Sequence, residues 1–280
     1  MKGLKKLLSY GLALALSVSL VGCSSGKDDS KEASNNGKSV NKLEQIKENG
    51  KLVVATSAEY SPYEFHKMID GKDTIVGFDV MITEAIAKEI GVKVEHIDMD
   101  FDGLIGALNA DKADIVLAGM TPDEKRRKSV DFSELYYVDK NVVIVKKGNE
   151  DKVKTDEDLK KIKVGVQRGS TQEGLVVDTL KCPSVTSLAK IPDLMLELQN
   201  GNIDAIITGK NVAAINVEQY KDIAIGNSTV GEGVEETSAA AFKKSDNNKE
   251  FIELVNKVIK DLQDSGEMDK FMQEALKLAQ

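Results

Sequence analysis

The chain has 280 residues, is 41% hydrophobic and 30% charged, and carries 38 Lys+Arg against 46 Asp+Glu for a formal net charge of -8. That length supports one large or two modest domains, while the acidic balance excludes nucleic acid and anionic lipid as main partners, since both need a basic face. Two cysteines, two histidines and no tryptophan leave too little material for a metal centre or a disulfide framework, so neither metal nor cofactor is expected.

At the amino terminus, Lys2, Lys5 and Lys6 precede an apolar run over residues 7–21, the pattern of a signal peptide over residues 1–22. The run is shorter than the ~20 apolar residues of a bilayer-spanning helix. It ends in Leu20-Val21-Gly22-Cys23, which resembles the lipobox of bacterial lipoproteins. The resemblance implies cleavage before Cys23 and acylation of that cysteine, palmitate included, with several chains holding the protein on the outer face of the cell membrane. After Cys23, residues 24–39 are mostly Ser, Gly, Asn, Lys and Asp with almost nothing apolar. A lipidated flexible tether is expected over residues 23–39, because such a segment buries too little to offset its ordering entropy.

Beyond the tether, β-rich runs alternate with helical patterns, predicting an α/β fold with sheets flanked by helices. Residues 51–56 read as a buried strand. Val80, Ile82, Ile86 and Ile90 then keep helical spacing until Gly91 stops the helix. Residues 92–97 are a second strand, Leu104, Ile105 and Leu108 form a short helix face, and 113–118 are a third strand. Strands at 142–146 and 162–166 begin another round. Pro192 suits a first helical turn, Leu194 and Leu198 share a face, Gly201 caps the end, and 203–207 form a buried strand. A last strand at 239–242 precedes an amphipathic helix through Phe251, Leu254, Val255, Val258 and Leu262, expected to return to the first lobe. The predicted organisation is lobe 1 over 40–140 and 236–280 and lobe 2 over 141–235.

The chemistry gathers at Thr121-Pro122-Asp123-Glu124-Lys125-Arg126. It follows the third strand, and open α/β sheets bind ligands at strand carboxyl ends. The planar fork of Arg126 matches a carboxylate bidentately. The neighbouring Lys125, Arg127 and Lys128 leave open a plain solvated basic face.

Five blocks stand between residues 56 and 173 and carry a resemblance that covers nearly the whole mature chain: Thr56-Ser57-Ala58-Glu59-Tyr60-Ser61-Pro62-Tyr63-Glu64-Phe65, Gly77-Phe78-Asp79, Asp100-Phe101-Asp102-Gly103-Leu104, Ala118-Gly119-Met120-Thr121 through Arg126, and Gly165-Val166-Gln167-Arg168-Gly169-Ser170-Thr171-Gln172-Glu173. In their order and spacing they resemble the polar amino-acid branch of the family 3 extracellular solute-binding proteins of ABC importers. The resemblance implies a type II periplasmic-binding-protein-like fold, with two mixed sheets joined by two crossing strands and the ligand between the lobes. It implies that Arg126 grips the carboxylate of a free amino acid, aided by Thr121 and the Gly119 backbone, that Thr171 beside Gln172 closes from the second lobe, and that Tyr60 and Phe101 sandwich the ligand side chain. A permease and its ATPase are the implied membrane partners, and a monomer is expected.

Two departures stand out. Ser57 occupies a position near the first aromatic where relatives with cationic or amide ligands carry an acid. Gly209, in Thr208-Gly209-Lys210, stands where an acid usually holds the ligand ammonium. Glu59, Glu235 and Glu236 are the candidates to replace it, each weighed against an ordinary solvated surface charge, and Asp204 reads as structural. His66 is expected at the surface or bordering the pocket, and Cys182 as a free thiol. An exported dehydratase-like enzyme is the alternative, with only Glu59, Glu173 and His66 as acid or base candidates. A receptor's sensing module is a third reading, disfavoured because the chain ends soon after its last helix. Arginine or another polar amino acid is the expected ligand.

Overall fold

The computed structural model describes residues 41–231 and 235–280. The expected signal peptide, Cys23 and the expected tether lie outside them. Helix α1 (Lys42–Asn49) starts where the Asn41 side chain accepts the Leu43 N–H and stops at a left-handed Gly50. Strand β1 (Lys51–Thr56) follows, then β2 (Glu59–Tyr60), β3 (Glu64–Ile69) and β4 (Lys72–Val76), which form a small antiparallel sheet of their own. Helix α2 (Phe78–Ile90) begins after Gly77. That position has φ 136°, and a Cβ there would lie 2.2 Å from the Tyr63 carbonyl oxygen, so only glycine fits.

Strand β5 (Lys93–Asp98), helix α3 (Leu104–Asn109), the short β6 (Ile115–Val116), the single turn α4 (Glu124–Arg127) and the ten-residue β7 (Val130–Asp139) complete the outward run. After Lys140 the chain enters β8 (Asn141–Lys146), α5 (Asp156–Leu159), β9 (Val164–Gln167), α6 (Thr171–Gly174), β10 (Val185–Leu188), α7 (Ile191–Asn200), β11 (Ala205–Gly209), α8 (Lys210–Gln219) and β12 (Ile223–Thr229). Strand β13 (Glu236–Lys243) returns, followed by α9 (Lys249–Asp264) and α10 (Glu267–Ala279).

Two five-stranded mixed sheets result, in the orders β5-β1-β6-β13-β7 and β10-β9-β11-β8-β12. In the first, β1 pairs parallel with β5 and β6, and β13 pairs antiparallel with β6 and β7. In the second, β9 pairs parallel with β10 and β11, and β8 pairs antiparallel with β11 and β12. The chain crosses between sheets at β7–β8 and at β12–β13. This is the expected two-lobed α/β architecture with mixed sheets and two crossing strands.

The central strands read as unbroken apolar runs because helices cover both of their faces. All of β11 is buried, as are the first five residues of β8. Helix α9 buries Phe251, Val255, Val258 and Ile259 and packs on α1, α2, α10 and β7. It thus returns to the first sheet as its apolar stripe requires.

Several expectations need correction in extent. The third strand covers only Ile115–Val116 rather than 113–118. The strands expected at 162–166 and 203–207 begin two residues later, at Val164 and Ala205. Helix α7 ends on Gly201, and the N–H groups of Asn202 and Ile203 are still occupied by the Glu197 carbonyl. The strand expected at 239–242 starts three residues earlier, at Glu236. The longest strand among the described residues, β7, carries no clear strand signal in the sequence, because VDFSELYYVD alternates too irregularly to stand out. The β2–β4 sheet, strands β10 and β12 and helices α1, α5, α8 and α10 are further elements that the expected set does not contain.

Candidate functional site

The site lies where the carboxyl ends of β1 and β6 face the loop before α6. One cavity there is lined by Tyr60, Phe101, Ala118, Gly119, Thr121, Arg126, Gln167, Ser170, Thr171, Gln172 and Glu236. It contains seven of the nine expected ligand-binding residues. The other two lie outside its lining. Ser57 is buried with its carbonyl taken by the Glu59 N–H, and Glu59 makes an ion pair with Lys190 at the start of α7.

Arg126 is 8% exposed. Asp123 caps the turn that carries it, accepting the Arg126 N–H at 2.7 Å. The guanidinium donates from Nη1 to the Thr121 carbonyl at 2.6 Å and from Nη2 to the Gly169 carbonyl at 2.8 Å, so it ties the two sheets' loops together. Its carbon stands 5.3 Å from the Phe101 ring centre, within cation–π range. Burial lowers its pKa, and Asp123 at 3.7 Å opposes the shift. The group stays cationic, with three of its five N–H bonds not engaged by these carbonyls. Of the two readings of the basic run, the structure selects both: Arg126 enters the cleft, while Lys125, Arg127 and Lys128 are exposed.

The second wall comes from the loop ahead of α6. Ser170 caps that turn by accepting the Glu173 N–H at 3.0 Å, which leaves Thr171 and Gln172 on the cavity. Gly169 meets the first wall closely: at φ 77°, a Cβ there would lie 2.9 Å from the Asp102 Cβ. Nearby, Arg168 Nε pairs with Asp102 at 2.7 Å, and Nη2 lies 3.6 Å from Asp100. These contacts and the Lys190–Glu59 pair join the two walls.

At the far end lies Glu236, 4% exposed, the first residue of β13 and the ladder partner of Asp139 on β7. The surface-charge reading of this residue is therefore corrected. Tyr60 donates its hydroxyl to Glu236 Oε1 at 2.6 Å, and Gln172 donates from Nε2 to Oε2 at 3.1 Å and to Asn141 Oδ1 at 2.8 Å. Burial raises the Glu236 pKa to about 7, with Asp139 adding to the rise and the bonds from Tyr60 and Gln172 opposing it. The Tyr60 hydroxyl is in turn pushed well above its ordinary range by burial and by Glu236. The Tyr60 ring stacks on Tyr63 with centres 5.5 Å apart.

The remaining candidates fall elsewhere. Glu235 is exposed and lines a different depression with Lys140, Lys154 and Thr155. His66 is exposed between Asp73 and Asp98; burial lowers its pKa, but the bonds to these carboxylates outweigh it and the net shift is upward. Asp204 is structural, bound by Lys152 and the Lys163 N–H. Cys182 is a free, half-buried thiol. Gln167 and Ser170 were missed although they lie inside the last of the five blocks, and Asn141, at the start of β8, lies outside all of them; no local pattern separates a polar side chain facing a cleft from one facing solvent. Among the described residues no cluster suited to a metal ion occurs, and no helix is long and apolar enough to cross a membrane.

The chain matches bacterial extracellular solute-binding proteins, family 3, over residues 52–277. It is 36% identical over 222 residues to the arginine-binding extracellular protein ArtP of Bacillus subtilis, covering 79% of this chain and 84% of that protein. It is 33% identical to a probable histidine-binding protein of Neisseria gonorrhoeae over 95% of this chain and 94% of that one. A crystal structure of the amino acid ABC transporter substrate-binding protein AbpA from Streptococcus pneumoniae, bound to L-arginine, superposes with a TM-score of 0.80 at 40% identity, covering 84% of this chain and 98% of that chain. These relatives are binding proteins and not enzymes, and this chain, with a cleft that unites an arginine, two aromatics and a buried glutamate between two crossing strands, belongs to family 3 of the bacterial extracellular solute-binding proteins.

Proposed function

We propose that this protein is the lipid-anchored, extracellular substrate-binding subunit of an ABC importer and that its ligand is a polar amino acid, arginine or a close analogue. The observation that carries the reading is Arg126: a desolvated guanidinium bridging Thr121 and Gly169 across the cleft, with unengaged N–H groups. In this reading a ligand carboxylate joins Arg126, with Thr121 and Thr171 beside it, and the two walls close around it. Charge-assisted bonds of this kind contribute about 1.5 to 3 kcal/mol each, so two or three of them with aromatic contact reach the roughly -8 kcal/mol of micromolar binding. Tyr60 and Phe101 offer flat faces to a cationic side chain. The arginine-binding relatives agree with that preference.

The anchor is carried by Leu20-Val21-Gly22-Cys23, and Cys23→Ala is expected to abolish metabolic labelling by an alkynyl fatty acid. A dehydratase-like activity has little support, since the acids and bases considered for it, Glu59, Glu173 and His66, do not line the cavity.

A thermal-shift screen of the twenty amino acids, followed by calorimetry with Arg126→Ala, tests the reading. Arginine is expected to give the largest rise in Tm, and Arg126→Ala to abolish binding without loss of fold. No rise with any amino acid, or unchanged affinity in the variant, would refute it.

A further inference from the structure

Glu236 is a buried carboxylate with no cation beside it. Its hydrogen-bond donors are the Tyr60 hydroxyl and the Gln172 amide, both neutral, and among the described residues no Lys, Arg or His pairs with it. The titratable groups packed around it add no positive charge: Tyr60 and Tyr63 belong to the small-sheet region, and Asp139 on β7 is a second carboxylate. Arg126 lines the same cavity, but its guanidinium hydrogen-bonds to carbonyls. A desolvated carboxylate without a cation is costly. A cavity with a guanidinium and such a carboxylate in its lining complements a zwitterion.

The neighbouring backbone shows how the carboxylate comes to be there. Gly209 ends β11, paired with Asn141 at the start of β8, and its φ of -63° is open to any residue. Space is what excludes a side chain: a Cβ at Gly209 would lie 2.6 Å from Glu236 Oε2 and 2.9 Å from Oε1. The Glu236 carboxylate fills the volume that a side chain at the end of β11 would occupy.

We propose that Glu236 is the group that binds the ligand's α-ammonium, delivered by the crossing strand β13 into the space that Gly209 leaves at the end of β11. The inference rests on the amino-acid reading above. The Tyr60 and Gln172 bonds hold the carboxylate in place, and the ligand supplies its missing cation.

The test is calorimetry on the protein and on Glu236→Gln, using the amino acid with the largest thermal shift and its deamino analogue; for arginine the analogue is 5-guanidinopentanoate. The unsubstituted protein is expected to lose about 100-fold in affinity when the amine is removed from the ligand. Glu236→Gln is expected to bind the amino acid about 100-fold more weakly, and to distinguish the pair by no more than about 3-fold. Full discrimination retained by Glu236→Gln overturns the inference and leaves the amino-acid reading standing. Absence of binding by the unsubstituted protein overturns both. Should Glu236→Gln fail to fold, titrations of the unsubstituted protein at pH 7 in buffers of different ionisation enthalpy decide the matter. Release of about half a proton with the amino acid and none with the analogue is expected; equal release with both overturns the inference.

Discussion

Replacing Glu236 by glutamine changes one oxygen for an amide nitrogen in a fully desolvated site, and it should make the ligand-free protein more stable at alkaline pH. Burial raises this carboxyl from its ordinary 4.5 to about 7. At about 1.4 kcal/mol per pH unit, that difference is worth about 3 kcal/mol. The folded state holds the proton to higher pH than the unfolded chain does. The stabilisation is therefore complete below pH 4.5 and is lost as pH rises through about 7. Glutamine has no proton to lose, so the variant's advantage should grow by about 3 kcal/mol between about pH 4.5 and pH 8. A constant offset of about 1 kcal/mol accompanies the change, because the new amide faces Gln172 Nε2 and both side chains must reorient. Urea unfolding of ligand-free protein and variant, followed by circular dichroism at the two pH values, measures the difference. Other titrating groups, including Asp79, which burial raises to about 6, cancel between the two proteins. A difference that does not change with pH would mean that Glu236 titrates as in water, and the desolvation argument would fail.

The same ionisation should appear in binding: affinity for the preferred amino acid falls as pH drops below about 7, by up to about tenfold per unit, while Glu236→Gln shows a flat profile; calorimetry from pH 5.5 to 8 reads both. Gly169→Ala should weaken ligand binding at least about tenfold, because the added Cβ strains a φ of 77° and meets Asp102 across the cleft at 2.9 Å; a variant with unchanged affinity would show that the walls need not approach this closely. Arg168→Ala removes half-exposed contacts to Asp102 and Asp100, and should cost less than about fivefold in affinity, with the difference vanishing in molar salt. Gly77→Ala should lower stability by several kcal/mol, about 3 or more, since its Cβ would lie 2.2 Å from a backbone oxygen; thermal unfolding tests it.

How much was legible in advance depends on the range over which the information acts. The buried strands β1, β8 and β11 were visible because helices cover both of their faces and their residues are apolar almost without interruption. Helices α2 and α7 were visible from periodicity with a terminal glycine, Gly91 and Gly201. The segment Thr121 through Arg126 stands out because it lies on the loop that leaves the end of β6, a local relation. By contrast, Glu59 and Ser57 stand next to Tyr60 in the chain yet face elsewhere. A strand sends alternate side chains to opposite faces, and the turn at the start of β2 redirects them again.

Local pattern was therefore sufficient for the α/β class and the lobe-forming runs, since each follows from hydrophobic spacing and caps within about a dozen residues; it left Arg126 open between the cleft and a solvated basic face, and the resemblance carried by the five blocks is what implied its place. Local pattern was insufficient for Glu236. Whether that carboxylate meets Gly209, Tyr60 and Gln172 or points to water depends on the register of β13 against β7 and on the crossing of two chain segments between sheets. Pairing over such distances is set by how whole sheets and their covering helices pack, and a shift of one residue would turn the carboxylate to the opposite face.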